Sequence, residues 1–97
     1  MHKISDQTMF HWLRELGVAR SQYHVSALCG RSPGWFSSTR CQGRDILAKD
    51  ILVLVRYAHQ RAEQETEPLA QERLRIVIKG METEAAQRTL CKRKRTD

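Results

Sequence analysis

The chain has 97 residues, which is enough for one domain and too few for two independent cores. Apolar residues make up 40% and charged residues 29%, a globular composition, and neither a membrane-spanning run nor the apolar core of a secretory signal is present in the sequence. Seventeen basic and eleven acidic residues give a formal net charge of +6, which is compatible with a polyanionic partner and equally with a soluble protein that is simply basic.

The hydrophobic pattern predicts an all-α fold of about five helices. The first covers residues 6–16, with Ser5 as its N-cap and Gly17 as its stop signal. The second is short and covers about 20–29. Gly30 is expected to end it in a left-handed conformation, which glycine adopts at little cost.

A third and a fourth helix follow. The third is predicted to begin at Ser32 and Pro33, because serine favours the N-cap and proline the first helical position, and to end near Cys41. The fourth runs from about 46 to 65, with Asp45 as its cap. Its middle is apolar all round the cylinder, which is typical of a helix buried on several sides.

The chain breaks at residues 66–68 and continues in a fifth helix over about 68–90. The last residues, 91–97, are basic and lack apolar side chains, so a disordered tail is expected there. The predicted organisation is a core over 1–65 and a C-terminal helix over 66–90, both within one domain. The amphipathic stripe of the fifth helix is Leu74, Val77, Ile78, Met81 and Ala85.

Residues 22–40 have the layout of a helix-turn-helix: a short helix, a turn with glycine and a second short helix. The two helices must cross steeply, so a small residue is needed at their contact, and Ser26 stands there. Gly30 supplies the positive φ of the turn. The side chains expected to lock the two helices from inside are Val25, Cys29 and Phe36.

Residues 8–60 resemble the lambda-repressor/Xre type of bacterial and phage helix-turn-helix regulator, and look similar to a small branch found in mobile elements. The residues that carry the resemblance are Gln22, Val25, Gly30, Phe36 and the Gly43-Arg44 loop before a long apolar helix. The resemblance implies a DNA-binding protein whose second motif helix enters the major groove.

The resemblance also implies which residues meet DNA. A glutamine at the start of the first motif helix braces against a phosphate, the recognition helix reaches base edges, and the loop after it touches phosphate. Pro33 and Gly34 depart from the family pattern and offer no side-chain donors, so base reading is expected to move to arginine and serine side chains. The predicted contact residues are Gln22, Arg31, Ser32, Pro33, Gly34, Ser37, Ser38, Arg40, Gln42 and Arg44.

The charge distribution supports the same location. Residues 20–44 hold four arginines and no acid, whereas residues 61–90 hold five bases and six acids. The tail 91–97 holds four bases and one acid. An acid-free, arginine-bearing stretch that coincides with a helix-turn-helix is the pattern expected of a DNA reader.

The fourth and fifth helices carry more apolar surface than a small core should need, so we expect a two-fold homodimer that binds an inverted repeat. The expected dimerisation residues are Leu52, Leu54, Val55, Leu74, Val77, Ile78 and Met81. Without a separate ligand-binding domain, a repressor that occludes a promoter is the favoured function, and it could regulate its own gene.

The competing hypothesis is a protein–protein adaptor, such as an antitoxin or anti-activator, that uses the apolar helices. The sequence shows no catalytic motif, no metal-ligand spacing and no sign of a cofactor, a small-molecule ligand or a membrane partner. We therefore expect a non-enzymatic protein of the bacterial cytoplasm, associated with the nucleoid when bound to DNA. Trp35 is expected to lie in the core rather than on DNA.

Overall fold

The computed structural model describes the backbone of residues 4–95 and the side chains of residues 4–90. Over this range the chain is all-helical, without strands, which confirms the predicted fold class. The five helices are α1 (Asp6–Glu15), α2 (Gln22–Leu28), α3 (Trp35–Cys41), α4 (Ala48–Gln64) and α5 (Pro68–Arg95).

The predicted helix signals at the start of the chain are confirmed. The Ser5 hydroxyl accepts a hydrogen bond from the Thr8 amide at 3.1 Å and caps α1. Gly30 has φ of +69°, so the chain turns after α2 in the left-handed region. The Arg31 amide then donates to the Ser26 carbonyl at 2.9 Å and closes the turn.

Two predicted helix starts are wrong. Helix α3 begins at Trp35 rather than at Ser32, because the chain first makes a turn in which the Trp35 amide donates to the Ser32 carbonyl at 3.0 Å. Helix α4 begins at Ala48, with Leu47 rather than Asp45 at the N-cap position. The Ile46 amide is held by Asp6 at 2.9 Å and the Ile46 side chain is buried, which places the start of α4 further along the chain.

The predicted disordered tail is wrong over residues 91–95. Helix α5 continues to Arg95, so residues 91–95 are helical, and residues 96–97 lie outside the described residues. Lysine and arginine are good helix formers, and positive charge is favourable at a helix C-terminus. The same basic composition that suggested a tail therefore extends the helix.

The core is built on an antiparallel pair of long helices, α4 and α5. They are joined at residues 65–67, where the Gln71 side-chain amide donates to the Glu65 carbonyl at 2.6 Å. Helices α1, α2 and α3 pack on this pair through Met9, Leu13, Val25 and Phe36, all of them buried. The buried side chains of the pair are Ile51, Leu54, Val55, Ala58, Leu74, Ile78, Met81 and Ala85.

This packing corrects the predicted dimer surface. Five of the seven expected dimerisation residues face the interior of one chain: Leu54, Val55, Leu74, Ile78 and Met81. Helix α5 folds back and covers the side of α4 that the sequence argument reserved for a second copy. Of the other two, Val77 is half-buried against the core and Leu52 is 52% exposed.

A buried polar cluster, here called the Arg88 cluster, joins both ends of the fold and consists of Ile4, Asp6, Ile46, Glu84 and Arg88. The Arg88 guanidinium lies 2.9 Å from Asp6 and 2.8 Å from Glu84, and it donates to the Ile46 carbonyl at 2.7 Å. Burial disfavours the charged guanidinium, but its hydrogen bonds to Glu84 and Asp6 hold the pKa of Arg88 above its ordinary value. The cluster fixes α5 against α1 and the start of α4.

No helix within the described residues has the length and apolar content needed to cross a membrane.

Candidate nucleic-acid interface

Ser26 lies at the contact between helices α2 and α3. Ser26 is fully buried, and its hydroxyl accepts a hydrogen bond from the Phe36 amide at 3.1 Å and donates one to the Gln22 carbonyl at 3.2 Å. A larger side chain would push the helices apart, and an apolar one would leave the Phe36 amide unpaired. The serine therefore fixes both the distance between the two helices and the start of α3.

Aromatic packing holds α3 from its inner side. The Phe36 ring is buried, with its centroid 5.8 Å from that of Phe10 on α1 and 6.3 Å from that of Trp35. Trp35 is half-buried and packs against the core, in line with its expected place. Cys29, the third expected locking residue, is half-buried and packs against the core.

The opposite side of α3 faces solvent, together with the segments before and after it. Eight of the ten predicted contact residues are exposed there, and we call them the α3 surface: Ser32, Pro33, Gly34, Ser37, Ser38, Arg40, Gln42 and Arg44. The other two, Gln22 and Arg31, are partly buried at its edge. The fold thus brings the predicted residues onto the solvent side of one short helix and its flanking loops.

Gln22 is connected to the α3 surface by a hydrogen bond between side chains. The Ser37 hydroxyl donates to the side-chain oxygen Oε1 of Gln22. The bond spans the two helices of the motif. It leaves the amide group of Gln22 as a donor that can meet a phosphate, and it orients Ser37. These two residues therefore form one unit on the surface.

Arg31 has a different role from the predicted base reader. Its guanidinium donates to both carboxylate oxygens of Asp50 at 3.2 Å and lies 5.1 Å from the centroid of the Trp35 ring. The Asp50 side chain is only 5% exposed. Reading a base would require Arg31 to leave a nearly buried carboxylate without its partner, so the geometry assigns Arg31 to positioning the turn.

The acid-free stretch holds three other arginines. Arg20, Arg40 and Arg44 are exposed, and none of them pairs with an acidic side chain within residues 4–90. Arg40 lies in the last turn of α3 and Arg44 in the loop that follows it. Unpaired guanidinium groups of this kind retain their full capacity to bind phosphates or base edges.

Tyr23 was missed by the sequence analysis. It is 67% exposed and follows Gln22 in α2. A signal was available in the helical geometry. Residues two positions apart in a helix point about 200° apart around its axis, so Tyr23 must face away from the buried Val25. An exposed aromatic hydroxyl beside Gln22 adds a further donor to this edge.

Neither a reactive Cys29 thiol nor a metal-binding cluster is found in the part of the chain that the structure describes. Burial, reinforced by the nearby Asp50, raises the pKa of the Cys29 thiol to about 11, so this thiol is protonated at neutral pH. Within the described residues, no three His, Cys, Asp or Glu side chains lie together as metal ligands.

Comparisons of the chain with protein-family models, with curated proteins and with solved structures find no match. The resemblance to lambda-repressor/Xre regulators stays a prediction from the motif residues.

Proposed function

We propose that this protein is a sequence-specific double-stranded DNA-binding transcriptional regulator that acts as a homodimeric repressor on an inverted-repeat operator. The observation that carries the proposal is the α3 surface itself. It is the exposed side of a short helix held by the buried Ser26, its Arg40 and Arg44 form no ion pair within residues 4–90, and the sequence has no acid from residue 20 to 44. This combination of shape and charge suits the major groove of DNA.

Each part of the surface has a distinct task in the proposal. Helix α3 has seven residues, a length of about 10 Å, which fits into the major groove. Arg40 reads a base edge, most favourably guanine, and Ser37 and Ser38 bind neighbouring acceptors. Pro33 and Gly34 let the backbone approach DNA closely, and the residues that bind phosphate are Gln22, Gln42 and Arg44.

The regulatory step follows from the size of the protein. A dimer of this small chain on an operator would occlude RNA polymerase without needing a separate regulatory domain. Binding upstream of its own gene would make the protein autoregulatory. A ligand is not required for this mechanism.

The test is a gel-shift titration at two salt concentrations, on the DNA upstream of the gene and with unrelated DNA as competitor. A discrete complex that resists the competitor supports the proposal. We expect Arg40→Ala to cost about 1–3 kcal/mol on the operator alone, if it reads one base. Arg44→Ala should weaken binding to all sequences and lower the salt slope by about one.

A matched control is Arg14→Ala, which removes an exposed arginine from the end of α1, outside residues 20–44. It should leave both affinity and salt slope close to those of the unmodified protein. If all three arginine variants behave alike, binding follows net charge and the α3 surface is not the reader.

The adaptor hypothesis makes the opposite prediction, since an adaptor gives no saturable DNA complex and retains a protein partner in a pull-down. It has less support, because much of the apolar surface of α4 and α5, including Leu74, Ile78 and Met81, is buried in the core of one chain.

A further inference from the structure

The outward face of α5 carries a second apolar series, opposite the stripe that packs on α4. Leu69 is 74% exposed, Ile76 63% and Leu90 57%, and these are among the largest exposed hydrophobic surfaces in the described chain. They stand at a spacing of seven residues, with the exposed Thr83 in the remaining position. We call the four residues Leu69, Ile76, Thr83 and Leu90 the α5 seam.

Seven residues are close to two helical turns, so the α5 seam forms one nearly straight line along a 28-residue helix. Apolar side chains repeated at this interval are the pattern by which one helix packs along another. The Thr83 hydroxyl donates to the Lys79 carbonyl at 2.9 Å, so it needs no partner outside its own helix. The seam therefore fits an apolar helix of the same repeat.

A groove beside the seam offers a place for a side chain from that second helix. Helices α1 and α5 enclose about 330 Å³ next to Ile76, lined on its apolar side by Trp12, Leu16 and Val77. Arg73 and Glu15 form a long ion pair of 3.9 Å at its edge.

The charges beside the seam indicate which helix this is. Arg75, Lys79 and Glu82 are exposed on one flank of α5, along its groove with α4. In an antiparallel pair of two α5 helices with Leu69 opposite Leu90 and Ile76 opposite Thr83, Glu82 of each copy falls between Arg75 and Lys79 of the other. A parallel pair would instead bring each Lys79 level with its own counterpart.

We propose that a second copy of this chain docks antiparallel along the α5 seam and forms the homodimer. The apolar repeat and the flank of Arg75, Lys79 and Glu82, whose charges complement those of a second copy, support this pairing. Its role in spacing two α3 surfaces on DNA rests on the proposed function. The Arg88 cluster ties α5 to the residues just before α4, so the geometry of the pair is transmitted to the α3 side of the fold.

Sedimentation equilibrium of the full chain without DNA tests the seam. The unmodified protein should be a dimer, and Ile76→Glu should be a monomer with unchanged helix content by circular dichroism, because this side chain is mostly exposed. The matched control is Leu52→Glu, which places the same charge at an exposed leucine of α4 and should remain a dimer.

Charge exchange tests the partner and its direction. Glu82→Lys alone, and the double variant Arg75→Glu/Lys79→Glu alone, should each dimerise at least tenfold more weakly than the unmodified chain. Mixed together they should form a heterodimer. In the antiparallel pair the new lysine at position 82 of one chain then faces the two new glutamates of the other, and the remaining Glu82 faces Arg75 and Lys79. A merely structural effect of these substitutions would not be repaired by mixing.

The inference would be overturned if the unmodified protein were still a monomer at about 100 μM. Its dimer Kd would then be weaker than that of a working dimer. Loss of the dimer in Leu52→Glu with retention in Ile76→Glu, or a mixture that fails to associate, would also overturn it. Failure of the DNA proposal would look different. The unmodified protein would be a dimer, Ile76→Glu would break it as expected, and yet the unmodified dimer would give no specific gel-shift complex.

Discussion

The Arg31 guanidinium lies 3.2 Å from both carboxylate oxygens of Asp50, and this pair joins the turn between α2 and α3 to the first turn of α4. Trp35 covers the guanidinium from one side. The start of the proposed recognition helix is thereby attached to α4, one helix of the central pair. An arginine in the acid-free stretch thus positions the α3 surface rather than forming it.

We expect Arg31→Ala to reduce the free energy of unfolding by about 1–3 kcal/mol, because it leaves the nearly buried Asp50 carboxylate unpaired and because the one-third exposure of Arg31 limits the loss. Urea denaturation measures the effect. Arg40→Ala is the control and should change stability by less than about 0.5 kcal/mol. Unchanged stability together with relaxed specificity at one base pair would return Arg31 to the role of base reader.

Ser26→Ala should destabilise the fold by about 1–3 kcal/mol, since the buried Phe36 amide loses its hydrogen-bond acceptor. Ser38→Ala, at an exposed position of the same motif, should be nearly neutral in the same thermal or urea unfolding experiment. Equal stability of the two variants would mean that the crossing of α2 and α3 does not depend on the hydroxyl.

Gln22 and Ser37 should behave as a coupled pair in DNA binding. Gln22→Ala removes the acceptor of the Ser37 hydroxyl, so the double variant with Ser37→Ala should lose less affinity than the sum of the two single changes. The measurement is a double-mutant cycle of operator affinity with a check of stability. Strict additivity would show that the two side chains act independently on DNA.

Cys29 should resist alkylation while the exposed Cys41 reacts. Burial and the neighbouring Asp50 raise the pKa of the Cys29 thiol to about 11, so little thiolate exists at about pH 8. Iodoacetamide labelling followed by mass spectrometry, on a Cys91→Ser variant, compares the two thiols. Rapid labelling of Cys29 in the folded protein would contradict this assignment.

The same shift predicts a pH dependence. A thiol whose pKa is raised on folding contributes stability below its ordinary value of 9.0, and that contribution is lost as the pH rises towards 11. The unmodified protein should therefore lose more stability than Cys29→Ala between about pH 8 and pH 10. Identical pH profiles of the two proteins would exclude a folding-linked shift at this thiol.

Local signals in the sequence were enough to predict several features of the motif. Ser5, Ser26 and Gly30 act through contacts within ten residues, or through the backbone itself, and each has the structural role expected from its chemistry. The periodicity of α5 correctly indicated a face that would be buried. It could not indicate that this face would pack on α4 of the same chain, because an amphipathic repeat does not specify its partner.

Long-range polar contacts account for most of what sequence reasoning missed. Arg31 is separated from Asp50 by nineteen residues, and the Ile46 amide is bound by Asp6 forty residues earlier. Neither contact has a signature in residue type or spacing. They explain why Arg31 is not a free donor and why α4 begins later than Asp45 suggested.

The Arg88 cluster has a kinetic consequence. Arg88 donates to the Ile4 carbonyl across 84 positions, a contact that can form only after nearly the whole chain has been brought together. Such a contact is expected to be absent from the transition state for folding, so weakening it should accelerate unfolding and leave the folding rate almost unchanged. Arg88 would then govern how long a folded molecule persists before it unfolds.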